Sequence, residues 1–128
     1  SPGFGGSCFK KDILNLVYLC RFYGLDEVAD YWLKVVEINN YQKERIVLKI
    51  DKFLSGSQKK QITILGWAFK KDTNDSRESA SIFITDKLLK LGYTVNIYDP
   101  MVNDKRIIND LIEHNDYDKS INPIFINF

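Results

Sequence analysis

Length, composition and charge place the chain among globular proteins of ordinary composition. It has 128 residues, 45% of them hydrophobic, and 18 basic side chains against 17 acidic ones leave a formal net charge of +1. Because there is no basic block and no apolar run of the ~20 residues that span a bilayer, we expect neither a nucleic-acid partner nor a membrane.

A glycine-rich turn with a cysteine opens the sequence. The segment Gly3–Gly6 leads to Cys8, and Lys10 and Lys11 follow where a helix is predicted to begin. Glycine allows a ligand to approach the backbone closely, and a helix N-terminus and nearby cations favour the reactive thiolate. The pattern predicts a nucleophile, with Asp12 as a nearby base. An ordinary glycine turn with an incidental cysteine is the alternative.

The cysteine and histidine content also limits the chemistry. Cys8 and Cys20 are too few for a disulfide framework, and with His114 as the only histidine we expect no zinc site. We therefore expect a cytoplasmic protein in a reducing compartment. Because Met101 is the only methionine, we also expect the chain to be a fragment or a processed form.

A first helix is predicted after the turn. Apolar residues recur at three- and four-residue intervals from Ile13 to Tyr23, which indicates one buried helical face. This helix is predicted to end at Gly24 as its C-cap and to direct Cys20 into a core.

A second periodic segment predicts one very long helix. It begins with Asp26 as the N-cap and continues to Leu54 with no internal glycine or proline. At 1.5 Å per residue this helix would span roughly 40 Å, longer than a domain of this size needs for its own core. A helix of this kind packs against another chain or bridges two domains. Two shorter helices broken near Asn39-Asn40 are the alternative.

The second half of the chain predicts a βαβ unit and hence an α/β fold with a parallel sheet. A strand buried on both faces is predicted over Gln61–Phe69, and a capping box of Asp75 and Glu78 would open the next helix. Further elements are expected at residues 80–91 (helix), 94–98 (strand), 105–114 (helix) and 124–126 (strand).

The loop Phe69–Glu78 lies where the first strand connects to its helix. Ligands of parallel sheets bind at the carboxyl ends of strands, where lysine can hold an anion and Arg77 can bind one in bidentate fashion. A solvated, charge-balanced loop is the alternative. No functional role is predicted for Arg106 or His114.

Two motifs resemble those of the UDP-glucose 6-dehydrogenases, which belong to the UDP-glucose/GDP-mannose dehydrogenase family. The first is Gly3–Phe9 with Lys11-Asp12, and the second lies between Ala68 and Ser79, with the family's long central helix between them. The likeness covers roughly residues 1–102 and fades after them. Lys10 departs from the glutamine that is usual in animal members.

This resemblance implies a four-electron oxidation of UDP-glucose to UDP-glucuronate by two NAD+. Cys8 would attack the C6 aldehyde to form a thiohemiacetal, which is oxidised to a thioester, and Asp12 would help to activate the hydrolytic water. Lys11, Arg77 and Cys8 itself would contact NAD. The positions that match contacts to the sugar nucleotide are Gly3, Phe4, Gly5, Phe69 and Lys70.

The resemblance also implies the domain organisation. Residues 1–56 would form the central helical domain, whose long helix builds the family's dimer, so we expect a homo-oligomer. Residues 57–128 would form the first part of a Rossmann-like UDP-binding domain, truncated before its end. Because no NAD-binding domain is present in the sequence, we expect the chain alone to be inactive.

Three alternatives stay open. The chain could derive from another nucleotide-sugar 6-dehydrogenase, it could be a non-catalytic module that pairs with intact subunits, or it could be a structural fragment with an unstable, incomplete sheet.

Overall fold

A computed structural model describes residues 2–57 and 59–114 of the chain and the backbone of residues 124–125. No helix among these residues is long and apolar enough to cross a membrane. In chain order the described elements are α1 (Phe9–Phe22), α2 (Asp26–Leu54), β1 (Gln61–Leu65), α3 (Ala80–Lys90), β2 (Thr94–Tyr98), α4 (Asp104–Glu113) and β3 (Ile124–Phe125).

Helices α1 and α2 pack against each other around a small apolar core. The fully buried side chains of this core are Ile13, Val17, Cys20, Ala29 and Val36. Cys20 is 7% exposed and lies on the buried face of α1, as its spacing predicts. Burial of these side chains stabilises the helix pair, since each large apolar side chain contributes about 1.5–3 kcal/mol when fully buried.

A Schellman motif connects the two helices. The amides of Gly24 and Leu25 donate to the carbonyls of Arg21 and Cys20, at 3.0 and 2.8 Å. Gly24 has a φ of +72°, so it follows the C-cap Tyr23 rather than forming the C-cap itself. The N-cap of α2 is Leu25, one residue before the predicted Asp26, whose carboxylate lies in the first turn.

Helix α2 is continuous over 29 residues, and Asn39 and Asn40 lie within it. Its N-terminal half contributes Ala29 and Val36 to the core with α1. Its C-terminal half contributes Val47 to a second, larger core built around the sheet. One helix therefore joins the two cores.

The strands form a parallel sheet in the order β1-β2-β3. Gln61 pairs with Thr94 at one end of the first two strands and Leu65 with Tyr98 at the other, and β2 pairs with β3 through Asn96 and Ile124. The predicted parallel βαβ arrangement is confirmed for β1, α3 and β2. Residue 126 of the last predicted strand lies outside the described residues.

The prediction for β1 was wrong in two respects. The strand ends at Leu65 because Gly66 has a φ of +99°, so Trp67–Phe69 leave the sheet. Its side chains also alternate between half-buried and exposed, and Leu65 is 73% exposed. In the described part of the chain only one face of β1 is therefore covered, by packing of Ile62 and Ile64.

The predicted capping box at Asp75 and Glu78 is also wrong. The N-cap of α3 is Ser79, whose Oγ accepts from the Ser81 amide at 3.3 Å. Asp75 instead accepts from the Arg77 amide, two residues ahead. Glu78 has a φ of +56°, which ends this turn immediately before the helix.

The carboxylate of Asp99 fixes the carboxyl ends of β1 and β2 relative to each other. It accepts from the amides of Trp67 and Ala68 after β1 and from those of Met101 and Val102 after β2, at 2.6–3.1 Å. Burial opposes the charge, but these four donors together lower the pKa of Asp99. The indole of buried Trp67 then reaches α4 through a 2.8 Å hydrogen bond to Asp110.

Candidate functional site

Cys8 stands at the start of α1 with an exposed side chain. Its carbonyl accepts from the Asp12 amide at 2.8 Å, so the two residues lie one helical turn apart on the same side of the helix. The Oγ of Ser7 and the Sγ of Cys8 are 3.6 Å apart. The thiol is exposed and therefore accessible to a ligand, and Cys8 is not a core residue.

One side of the turn before Cys8 is attached to α2. The side-chain oxygen of Asn39 accepts from the Phe4 amide at 2.8 Å, and its nitrogen donates to the Phe4 carbonyl at 3.0 Å. At Gly3, where φ is +130°, an added Cβ would lie 2.7 Å from the same side-chain oxygen. Glycine is therefore required for the turn to approach α2 this closely.

The other side of the turn contacts the loop between β1 and α3. The amide of Gly6 donates to the carbonyl of Arg77 at 2.8 Å. A Cβ added at Gly5 would lie 2.5 Å from the Glu78 carbonyl oxygen, and one at Gly6 would lie 3.0 Å from the Phe69 ring. The fold thus brings Phe69 and Arg77, from the second predicted motif, against the glycine turn of the first.

Arg77 forms a bidentate ion pair with Asp75. Its Nε and Nη2 donate to the two carboxylate oxygens at 2.9 and 2.7 Å, and the arginine side chain is 60% exposed. These hydrogen bonds hold the pKa of Asp75 at about 2 and raise the pKa of Arg77, to which the nearby Cys8 adds in the same direction. The guanidinium is therefore held in place by Asp75 while the Arg77 side chain stays exposed to solvent.

The remaining predicted side chains are on the surface. Lys11 is 75% and Asp12 68% exposed, and their charged atoms are 4.0 Å apart. The Lys70 ammonium lies 5.3 Å from the centre of the Phe69 ring. The structure does not bring Lys11 or Asp12 into hydrogen-bonding contact with Phe69, Lys70 or Arg77 among the described residues. It leaves them accessible to a ligand from outside.

Lys10 provides a second connection between the two motifs. Its ammonium donates to both carboxylate oxygens of Glu78, at 3.1 and 3.0 Å. Both side chains are more than one-third exposed, so the pair contributes little to stability. It nevertheless joins α1 to the turn that precedes α3.

Two cavities flank the turn. An apolar one of about 580 Å³ is lined by Gly3 and Phe4 together with residues of α2, including Tyr41. A polar one of about 450 Å³ lies between α2 and the helices α3 and α4, lined by Lys43 and His114 among others. Both volumes fall in the range that holds a small organic ligand.

Burial shifts the pKa of two basic groups that line the polar cavity. It lowers the pKa of Lys43, which is 6% exposed, and that of His114, whose ring meets Phe83 edge-on at 6.0 Å. Arg106 donates to Ser76 at 3.2 Å and pairs with Asp110 at 2.9 Å. Arg106 and His114 thus take part in the internal packing, which no local pattern in the sequence indicates.

Sequence reasoning missed Asn39 and Lys43, although a signal was present. With Val36 and Val47 they occupy successive buried positions of α2 at intervals of three and four residues. A polar residue at such a position needs a partner, because burial of an unpaired polar group is costly. Among the described residues, no group of three or more His, Cys, Asp or Glu side chains could hold a metal ion.

Two family models match the chain. The central domain of the UDP-glucose/GDP-mannose dehydrogenase family matches residues 1–41, and the UDP binding domain of the same family matches residues 63–123. The chain belongs to this family. The second match extends to residue 123, so the expectation that the likeness fades after residue 102 was wrong.

The curated relatives that match the chain are named UDP-glucose 6-dehydrogenases. The UDP-glucose 6-dehydrogenases of Gallus gallus and Drosophila melanogaster are 53% and 52% identical to the chain over 112 residues. These alignments cover 87% of the chain but only 23% and 24% of the relatives. The chain therefore spans about a quarter of their length.

Solved structures of the family share the fold. A UDP-glucose dehydrogenase from Pyrobaculum islandicum matches 99% of the chain and 27% of its own length, with a TM-score of 0.74 and 27% identity. A GDP-mannose dehydrogenase from Pseudomonas aeruginosa matches 98% of the chain and 28% of its own length, with a TM-score of 0.66 and 26% identity. The predicted α/β fold with a helical segment is thus confirmed as a fragment of a dehydrogenase of this family.

We predict that Gly5→Ala will displace the turn from the loop between β1 and α3. The new Cβ would meet the backbone oxygen of Glu78, which cannot move aside as a flexible side chain could. The free energy of unfolding should fall by about 1–3 kcal/mol, as for other overpacked sites. Urea denaturation measures the change. Gly56→Ala is the matched control, because nothing lies within 4 Å of its added Cβ; equal effects of the two changes would contradict the close contact at Gly5.

A second prediction concerns acid stability. Since the pKa of Asp75 is about 2 in the folded chain, below its ordinary value of 3.8, its carboxylate stabilises the fold above about pH 4. That contribution is lost as the pH falls through 2. Thermal melts should therefore show Asp75→Asn less stable than the wild type near neutral pH, with a difference that disappears below about pH 2.

Arg77→Ala provides the control for this pH dependence. Because the hydrogen bond to Arg77 is the main cause of the low pKa, the effect of Asp75→Asn should shrink in the Arg77→Ala background. If the difference in thermal stability between wild type and Asp75→Asn stays constant from neutral pH to pH 2, the low pKa of Asp75 is not its cause.

Proposed function

We propose that the chain is part of a UDP-glucose 6-dehydrogenase, an NAD-dependent enzyme that oxidises UDP-glucose to UDP-glucuronate in two steps. The observation that supports this best is the contact between the two motifs: the glycine turn before the exposed Cys8 packs on Phe69 and Arg77. This contact supports a site in which a nucleophile lies next to an anion-binding loop. The similarity to UDP-glucose 6-dehydrogenases over most of the chain supports the choice of substrate.

In this proposal Cys8 is the covalent catalyst. Its sulfur bonds to C6 of the aldehyde formed in the first oxidation, and the carbonyl oxygen takes up a proton to give a thiohemiacetal. Loss of a hydride from C6, with the hydroxyl proton, gives the thioester. Water near Asp12 then attacks the thioester carbon, and the carbon–sulfur bond breaks to release the carboxylate and the free thiol.

We propose that Asp12 and the first turn of α1 stabilise the charges that develop in these steps. Asp12 lies one helical turn from Cys8 and is exposed, so a water molecule can reach both. The amides at the start of α1 have no partner within the helix and favour negative charge nearby. We propose that they stabilise the oxygen anion formed on C6, as backbone donors do in other acyl-transfer sites.

The residues present fit a dinucleotide approaching from one side. Arg77 is exposed and held near Cys8, and Lys11 is an exposed cation on the adjacent turn of α1. We propose that both contact the phosphates of NAD, which when bound supplies the hydride acceptor. The remainder of an NAD site would have to come from another domain.

The sugar nucleotide is proposed to lie along the glycine turn. The backbone of Gly3, Phe4 and Gly5 would contact it, and Phe69 and Lys70 would contact it from the loop after β1, where Phe69 packs on the turn. We place the boundary between the central domain and a Rossmann-like UDP-binding domain after residue 56, between α2 and β1.

We further propose a homo-oligomer formed through α2. Several large apolar side chains of this helix are more than 60% exposed: Tyr31, Ile38, Tyr41, Leu48 and Phe53. Exposed apolar groups of this extent mark interaction surfaces. The same surface would allow the alternative role, in which the chain pairs with intact subunits without catalysis.

Light scattering tests the oligomer. The 128-residue chain should have the mass of a dimer or larger, and Ile38→Lys with Leu48→Lys should shift it toward the monomer because charge at a buried contact is unfavourable. Lys105→Glu, on the exposed surface of α4 and away from α2, is the control. A strictly monomeric wild-type chain would contradict the proposal.

A chimera tests the chemistry. The matched segment of 112 residues would replace its counterpart in the Gallus gallus enzyme, and NADH production from UDP-glucose would be followed. We expect an active chimera, and a loss of at least about a thousandfold in kcat with Cys8→Ser, since the covalent step is removed. Cys20→Ser is the matched control, because Cys20 lies in the core of the helix pair.

Each outcome separates the alternatives. An active chimera that prefers GDP-mannose or another nucleotide sugar over UDP-glucose would identify a different dehydrogenase of the family. Activity that survives Cys8→Ser would refute the covalent mechanism. NADH production by the 128-residue chain alone would refute our expectation that it is inactive without an NAD-binding domain.

A further inference from the structure

We infer that Asn39 is a positioning residue that holds the Cys8 turn in the shape needed for catalysis. This inference rests on the proposed function, which assigns the turn to the substrate and Cys8 to the chemistry. Asn39 lies in the middle of α2 and does not contact Cys8 itself in any hydrogen bond among the described residues. Its action would therefore pass through the Phe4 peptide.

Both polar groups of the Asn39 side chain are used by a single residue of the turn. The oxygen accepts from the Phe4 amide at 2.8 Å and the nitrogen donates to the Phe4 carbonyl at 3.0 Å. An amide side chain can accept through its oxygen and donate through its nitrogen at the same time without changing its protonation state. The pair of bonds fixes the orientation of the Phe4 backbone as well as its distance from α2.

Apart from this contact, asparagine is an unfavourable residue at position 39. Asparagine lowers helix propensity in a helix interior, and an amide buried to 5% exposure costs free energy unless it is hydrogen-bonded. A leucine at the same place would extend the apolar face that Val36 begins. Asn39 thus makes α2 less stable than an apolar residue would, and it holds the turn in place.

The contacts of the turn also determine the position of Cys8. The Phe4 ring packs edge-on against Phe9, the first residue of α1, with ring centres 4.7 Å apart. Two residues after Phe4, the Gly6 amide is bound to the Arg77 carbonyl. In the chain Cys8 lies between Gly6 and Phe9, which make these two contacts, so the contacts restrict its position. A displacement of about 1 Å at a reacting group can lower a rate about a hundredfold.

The first test uses the 128-residue chain and needs no activity. In Asn39→Ala, amide hydrogen exchange measured by NMR should become about tenfold faster or more at Phe4 and Gly6, since each lost hydrogen bond is worth about one order of magnitude. The amides of α1 beyond its first turn should keep their protection. Asn40→Ala is the matched control, because the neighbouring Asn40 is exposed and should leave all these rates unchanged.

This exchange test can overturn the inference on its own. Unchanged exchange at Phe4 and Gly6 in Asn39→Ala would show that the contact does not hold the turn. A uniform increase throughout α1 and α2 would show that Asn39 serves the helix pair as a whole and not the turn.

The second test uses Asn39→Asp in the chimera with the Gallus gallus enzyme. Near neutral pH the ionised carboxylate that this change introduces would repel the Phe4 carbonyl, so kcat should fall about tenfold to a hundredfold with a smaller change in KM. At lower pH the protonated carboxyl group can again accept and donate, so the ratio of mutant to wild-type kcat should rise as the pH falls. A role limited to stability would not give this pH profile.

The outcomes distinguish the inference from the function on which it rests. If the wild-type chimera is inactive while Asn39→Ala still loosens Phe4 and Gly6, the proposed function fails and the structural clamp stands. If the chimera is active and Asn39→Asp has wild-type kcat at every pH, the positioning role is wrong although the function is right.

Discussion

The attachment of a four-residue glycine turn to two different parts of the fold is the constraint on which the candidate site depends. On one side the Phe4 backbone is bound by Asn39 of α2, and on the other the Gly6 amide is bound by the carbonyl of Arg77. Neither contact is possible with side chains at Gly3 and Gly5, because their Cβ atoms would collide with Asn39 and with the backbone next to Arg77. The glycines thus permit a close three-way contact that places Cys8 beside the loop after β1.

Charge at the site is organised locally and in pairs. Arg77 with Asp75 and Lys10 with Glu78 each join a cation to a carboxylate on or next to the same loop, which orders the cations without burying them. Exposed pairs of this kind add little to stability and remain available to an anionic ligand. Asp99, by contrast, is satisfied by four backbone amides and fixes the ends of two strands. The ion pairs and the strand anchor therefore have separate tasks.

The sequence predicted those parts of the fold that follow from local periodicity and turn chemistry. The bounds of β2, the ends of α1 and α2 facing their connection to within one residue, the inward orientation of Cys20 and the parallel pairing of β1 and β2 could be predicted in this way. The start of α3 could not, because it depends on a turn in which Asp75 binds Arg77 and Glu78 takes a positive φ. The end of β1 could not either, because Asp99, more than 30 residues away, captures the amides of Trp67 and Ala68. The helical spacing of Asn39 indicates a buried polar residue, but its partner Phe4 could not be predicted because it lies 35 residues away in the chain. Local patterns identify the two motifs, whereas the contact between them requires the tertiary structure.

The length of α2 has a consequence for how the chain loses its structure. The helix supplies Ala29 and Val36 to one core and Val47 to the other, and no glycine or proline interrupts it between them. Melting of either core would deprive α2 of the packing that keeps half of it helical, and helix formation is cooperative along the backbone. We therefore expect the two cores to unfold together, so that heat or denaturant melts the described residues in one cooperative transition.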